Sequence, residues 1–237
     1  MKLMIKIYLF LFFTFQALII ASQQNTDLYT YADFSRFEKE NAQLDRESFA
    51  GSRVVFMGNS ITEAWLRYNP ELFSSGQFIN RGISGQVTAQ MLMRFRADVI
   101  DLSPKVVVIL AGINDIAENS GYIPLDAIAN NIKSMAEIAD QNKISVVLCA
   151  VLPAIDFPWR KGLDPAPKVA ELNNLIKKYA LEKGFPYVDY YTIMADENGG
   201  LKVPDFTSQD DLVHPNKRGY EVMEGILIPV ISRLLKE

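Results

Sequence analysis

The chain has 237 residues, 49% of them apolar and 22% charged, with a formal net charge of −4, enough for one domain with a substantial core. No basic run or basic–aromatic stripe is present, which argues against nucleic acid as a partner. A single cysteine, Cys149, and a single histidine, His214, exclude an intramolecular disulfide and leave too few ligands for a Cys/His zinc site.

In chain order, Lys2 and Lys6 precede an apolar stretch from Ile7 to Ala21, followed by Ser22, Gln23 and Gln24. A basic start, a short apolar run and a small-residue exit predict a secretory signal peptide over residues 1–22, and hence export. The competing reading is an uncleaved anchor. It is disfavoured because the run is shorter than the ~20 residues of a spanning helix and is interrupted by Thr14 and Gln16. Residues 23–237 then form one domain with no stable membrane span. Tyr31 to Phe49 reads as a charged helix lying against the outside.

Five short runs rich in Val and Ile follow: Arg53–Met57, Phe78–Asn80, Val106–Ala111, Ile144–Val151 and Tyr187–Asp189. They read as buried strands. Helical spacing of apolar residues fills the intervals at Val87–Leu102, from Leu125 to Ile138, from Pro167 to Lys183 with Gly184 as terminator, and from Pro215 to Leu235, where Pro229 predicts a kink. Alternation of this kind implies a parallel sheet covered on both faces, with ligands bound at the carboxyl ends of its strands. Cys149 lies mid-strand and reads as a structural thiol.

The strand ends carry the chemistry. After the first comes Gly58-Asn59-Ser60-Ile61, where a serine at a strand-to-helix turn meets free backbone N–H groups and the helix dipole. Alone, that serine is more simply a helix cap. After the second comes Asn80-Arg81-Gly82-Ile83-Ser84-Gly85, whose glycines admit close backbone approach. Gly112-Ile113-Asn114-Asp115 follows the third and offers an amide donor. Near the C-terminus, Asp211-Leu212-Val213-His214-Pro215 sets a carboxylate three residues before the histidine, close enough to accept its Nδ1 proton and fix the tautomer. Proline there suits the first helical position. Combined, these residues supply a nucleophile (Ser60), a base (His214), an orienting carboxylate (Asp211) and three oxyanion donors: Ser60 N–H, Gly85 N–H and the Asn114 side chain. That set suffices for acyl transfer. Trp159 and Arg160, in the loop after the fourth strand, are candidate contacts to a sugar or polar head group; the simpler alternative packs the tryptophan onto the domain.

Over nearly the whole mature chain the sequence resembles the SGNH hydrolases, the GDSL-like lipase/acylhydrolase superfamily. Its blocks match Gly58-Asn59-Ser60-Ile61, the stretch ending in Gly85 (or Gly82 if the alignment slips), Gly112 to Asp115, and Asp211 to Pro215. The spacing looks most like the branch of the platelet-activating-factor acetylhydrolase catalytic subunits and bacterial carbohydrate acetylesterases. One position departs from the family: Asn59 stands where aspartate is usual, which predicts altered hydrogen bonding at the turn without loss of the triad. The resemblance implies a three-layer α/β/α sandwich with a five-stranded parallel flavodoxin-like sheet, activity on esters and no cofactor. The expected substrate is a short acyl ester, acetyl first, with an acetylated glycan favoured. A lysophospholipase- or thioesterase-like acylhydrolase and a non-catalytic glycan-binding module are the alternatives. Oligomeric state is not legible.

Overall fold

The computed structural model describes residues 27–44 and 52–237. The signal-peptide segment 1–22 and the end of the expected N-terminal helix, residues 45–49, lie outside the described residues. The chain divides into two units after Tyr31. In the first, the described residues form one helical turn, α1 (Leu28–Tyr31).

The second unit, Ala32–Glu237, begins with a 3₁₀ turn (Phe34–Phe37) and α2 (Glu38–Gln43). The expected single helix from Tyr31 is thus broken, because Asp33 takes a left-handed backbone (φ 53°) that ends any helix before it. The remaining elements are β1 (Val54–Gly58), α3 (Ser60–Tyr68), α4 (Glu71–Ser74), β2 (Phe78–Gly82), α5 (Thr88–Asp98) and β3 (Val106–Leu110). They continue with α6 (Ile113–Ile116), α7 (Leu125–Gln141), β4 (Ser145–Cys149), α8 (Pro165–Lys183), β5 (Tyr187–Val188), α9 (Tyr190–Met194) and α10 (Lys217–Leu234).

The five strands form one parallel sheet in the order β2-β1-β3-β4-β5, the flavodoxin-like order. β1 (Val-Val-Phe-Met-Gly) and β3 (Val-Val-Val-Ile-Leu) are buried along their whole length, because right-handed crossovers place helices on both faces. α5, α7 and α8 pack side by side, and α3 packs with α10. The result is the expected three-layer α/β/α sandwich. α8 ends where Gly184 adopts φ 73°.

One helix detail differs from expectation. α10 starts at Lys217 instead of Pro215, because the Asn216 side chain accepts from Gly219 N–H at 3.0 Å and caps the helix there. Its end at Leu234, beyond Pro229, is as expected. Cys149 is buried at the end of β4, its thiol pushed up to about 12 by burial, which suits a packing role and disables it as a nucleophile.

Candidate active site

The site is assembled at the carboxyl ends of three neighbouring strands. Gly58 pairs with Gly82 on one side and Leu110 on the other, so the loops after β2, β1 and β3 leave the sheet side by side. Ser60 opens α3. The preceding Asn59 is the cap: it is buried, and its Oδ1 accepts from Ile61 N–H at 3.1 Å. The serine is therefore not itself the cap, and the Ser60 N–H has no acceptor among the described residues.

The histidine arrives from the opposite end of the chain. Asp211 Oδ1 accepts from Val213 N–H at 3.2 Å and His214 N–H at 2.8 Å, closing a short loop in which Leu212 takes a left-handed conformation (φ 65°). A bulky residue rarely adopts that backbone, and here it turns the carboxylate back toward the ring. His214 Nδ1 lies 2.9 and 3.1 Å from the two Asp211 oxygens, and Nε2 lies 2.9 Å from Ser60 Oγ. A carboxylate only accepts, so Nδ1 carries the proton and the Nε2 lone pair faces the hydroxyl. Ser60, His214 and Asp211 thus form one continuous relay across 154 residues of sequence separation.

The oxyanion candidates flank Ser60. Gly85 takes φ 79° with open space where a Cβ would sit, so glycine is required by the backbone and not by crowding. Its N–H has no acceptor among the described residues. Gly82 is different. Its N–H is donated to Asn80 Oδ1 at 2.9 Å, and a Cβ there would come within 2.2 Å of Glu63 N. Gly82 packs β2 against the start of α3 and has no amide to spare. Asn114 is buried and donates one Nδ2 hydrogen to Gln86 O at 3.0 Å, which fixes the amide and leaves its second hydrogen unassigned.

Trp159 and Arg160 sit apart in role. The Trp159 ring is half-exposed, 6.1 Å from the His214 ring, and its Nε1 donates to Asn119 Oδ1 at 3.3 Å. Arg160 Nη1 donates to Ala117 O at 3.1 Å and also to Glu118 O. The guanidinium thereby braces the loop after α6, while the tryptophan stands beside the relay.

Sequence reasoning did not single out the residues that hold these loops. Arg94 is fully buried. Its guanidinium donates to Gln86 Oε1 at 2.6 Å, to Arg81 O at 2.9 Å, to Gly58 O at 3.2 Å and to Asp98 at 2.9 Å. One cation thus ties the ends of β1 and β2 to the loop bearing Gly85. Glu63, one turn beyond the serine, accepts from Ser84 N–H at 3.0 Å, from the Ser84 hydroxyl and from Arg36 at 3.3 Å. A signal existed for Arg94: with Asp98 it forms an i,i+4 ion pair on the α5 face that carries Met91 and Phe95.

Asp115 is a third such residue. Buried, it accepts from Thr88 N–H at 2.9 Å and Thr88 Oγ1 at 2.6 Å at the start of α5. Burial raises its carboxyl from 3.8 to about 6, with the Thr88 hydrogen bonds only partly offsetting this. Folded Asp115 holds its proton more tightly than the unfolded chain does. Its contribution to stability is therefore complete below about pH 4 and is lost as pH rises through about 6. The expected outcome is that the stability difference between wild type and Asp115→Asn shifts by about 3 kcal/mol against wild type across that window. Urea unfolding of both proteins at a series of pH values measures it; a pH-independent difference would contradict it.

Among the described residues no group of His, Cys, Asp and Glu is arranged to hold a metal ion, and no helix is long and apolar enough to cross a membrane.

Comparison with known proteins identifies the family. The GDSL-like lipase/acylhydrolase family matches residues 56–222. A GDSL-like lipase of Bacteroides thetaiotaomicron, solved as a crystal structure, is 47% identical, with a TM-score of 0.81 over 86% of this chain and 98% of its own. The human platelet-activating factor acetylhydrolase IB subunit alpha2 is 26% identical over 196 residues, 78% of each chain. The lipoprotein YqeF of Bacillus subtilis (strain 168), itself uncharacterised, is 23% identical over 58% of this chain and 64% of its own. The chain belongs to the GDSL-like lipase/acylhydrolase family and is a carboxylic ester hydrolase.

Proposed function

We propose that the protein is an exported serine esterase that removes short acyl groups, acetyl first, from a hydroxylated substrate such as a glycan. The observation that carries this reading is the unbroken relay Asp211–His214–Ser60, with a 2.9 Å contact at each junction. In the first step His214 Nε2 takes the Ser60 proton as Oγ attacks the ester carbonyl. The oxyanion is received by Ser60 N–H, Gly85 N–H and the second Asn114 amide hydrogen, while Asp211 stabilises the imidazolium. Collapse expels the alcohol, which takes the proton from His214. Water, deprotonated by the same nitrogen, then attacks the acyl-Ser60 ester and releases the acid. His214 acts as a base only in its neutral form, so this first step uses the unprotonated Nε2.

Short acyl groups are favoured because no long apolar lid overhangs Ser60 in the sequence, and because one relative is named an acetylhydrolase. A sugar is favoured by Trp159, whose half-exposed ring beside His214 offers a stacking face. Export is supported by the basic, then apolar, N-terminus and by a relative named a lipoprotein. Hydrolysis of p-nitrophenyl acetate, butyrate and octanoate by the chain without residues 1–22 tests the reading. Specificity, as kcat/KM, falls steadily with acyl length; a maximum at octanoate would favour a lipid-directed acylhydrolase instead.

A further inference from the structure

The relay opens onto a groove of about 640 Å³ with an asymmetric charge pattern. α3 lines it with Leu66 and, along one face, with Ser60, Glu63, Ala64, Arg67 and Tyr68, at positions i, i+3, i+4, i+7 and i+8 of the helix. The nucleophile and Arg67 are therefore about 10 Å apart along the helix axis. Asp211, His214 and Asn216 also line the groove. Because His214 protonates the departing alcohol, this groove receives the alcohol side of the ester.

Four fully charged side chains line the groove, and three are engaged within the protein. Glu63 is held by Arg36 and by both donors of Ser84. Asp211 is held by the His214 ring and two backbone N–H groups. Arg67 makes no ion pair among the described residues. Exposed as it is, its guanidinium lies 4.7 Å over the Tyr68 ring and donates to Tyr68 Oη at 2.9 Å. Tyr68 in turn stacks on Tyr220 at 4.7 Å, and Tyr220 Oη donates to Ile61 O at 2.7 Å inside the core. A cation held in place without a carboxylate, in the groove that contains the nucleophile, is arranged to meet an anion.

We propose that Arg67 recognises a negative charge on the alcohol portion of the substrate, so that the preferred ester is an acyl ester of a carboxylated or phosphorylated alcohol. The inference rests on the serine-esterase reading and narrows its substrate class. A cation in the last turn of α3 also complements the helix dipole, and the experiment separates the two roles.

The probes are 4-acetoxybenzoate and 4-acetoxyphenyl phosphate, each compared with the neutral 4-acetoxybenzamide. Wild type favours the anionic esters, and Arg67→Gln lowers the anionic-to-neutral ratio of kcat/KM about tenfold. Arg67→Lys retains part of the preference, and ~1 M salt compresses the wild-type ratio. Arg96→Gln, which removes an exposed cation from α5, leaves the ratio alone. A larger Arg67→Gln effect on the phosphate than on the carboxylate assigns the groove to phosphorylated alcohols, and the reverse to carboxylated ones. An unchanged ratio in Arg67→Gln, with only a lower melting temperature, overturns the inference in favour of a dipole role. Complete loss of activity in Ser60→Ala alongside that unchanged ratio overturns the inference alone. Hydrolysis persisting in Ser60→Ala overturns the underlying esterase mechanism, whatever the ratio.

Discussion

His214→Ala is expected to lower kcat for p-nitrophenyl acetate by roughly 10⁴- to 10⁶-fold, with KM changed far less. The size follows from the geometry. Among the described residues Nε2 is the base hydrogen-bonded to Ser60 Oγ, at 2.9 Å, and in the proposed mechanism the same nitrogen later deprotonates the hydrolytic water. Without it neither the Ser60 hydroxyl nor the hydrolytic water is activated as a nucleophile. The ring is partly exposed, and the short loop is held by bonds from Asp211 to backbone N–H groups as well as to the ring, so the fold survives. Asp211→Asn tests the same relay from the other end. An amide facing Nδ1 can donate where the carboxylate only accepts, which favours the wrong tautomer and costs about 10⁴-fold by the same logic. Steady-state kinetics on both variants, with circular dichroism to establish folding, measures the effect. A loss below about tenfold in His214→Ala would remove His214 from the mechanism.

Outside that relay, Asn114→Ala carries the largest expectation, a fall in kcat of about 10²- to 10³-fold. Its amide does two things at once. One hydrogen is donated to Gln86 O at 3.0 Å, which orients the group and also anchors the residue following Gly85. The other has no acceptor among the described residues and, in the proposed mechanism, meets the charge that develops on the carbonyl oxygen. Because the donor is buried and already held, it needs little reorganisation as that charge forms. Truncation also strands the Gln86 carbonyl, costing about 1–2 kcal/mol of stability. The two effects separate experimentally: the stability loss appears in urea unfolding, and the catalytic loss appears in kcat at saturating substrate well below the unfolding transition. Equal kcat for the folded variant and wild type would place the oxyanion elsewhere.

Much of this was legible in the sequence because the fold writes its sheet in one dimension. Runs such as Val106–Leu110 are buried on both faces and so appear as unbroken apolar strings, and the turns after β1, β2 and β3 mark the edge that carries Ser60, Gly85 and Asn114. Asp211 and His214 were legible for the same reason, since their pairing spans a short loop. What was hidden depended on partners far apart in sequence. Arg94 holds Gly58 and Arg81 across strands, and nothing in the α5 periodicity shows which backbone carbonyls a buried arginine will meet. Glu63 reads as an ordinary first-turn acid of α3, yet it reaches Ser84, 21 residues on. The break at Asp33 and the late start of α10 at Lys217 were local decisions. In the second, the Asn216 cap prevailed over the preference of proline for the first helical position.

The most direct test of the account is covalent. The central claim is that Ser60 Oγ is the nucleophile, and a fluorophosphonate reacts only with a serine activated by its relay. Incubation with excess reagent, followed by intact-mass and peptide mass spectrometry, should give one adduct per chain, located on Ser60, with activity lost in proportion. Labelling of a different residue, or full activity remaining after stoichiometric labelling, would contradict the account.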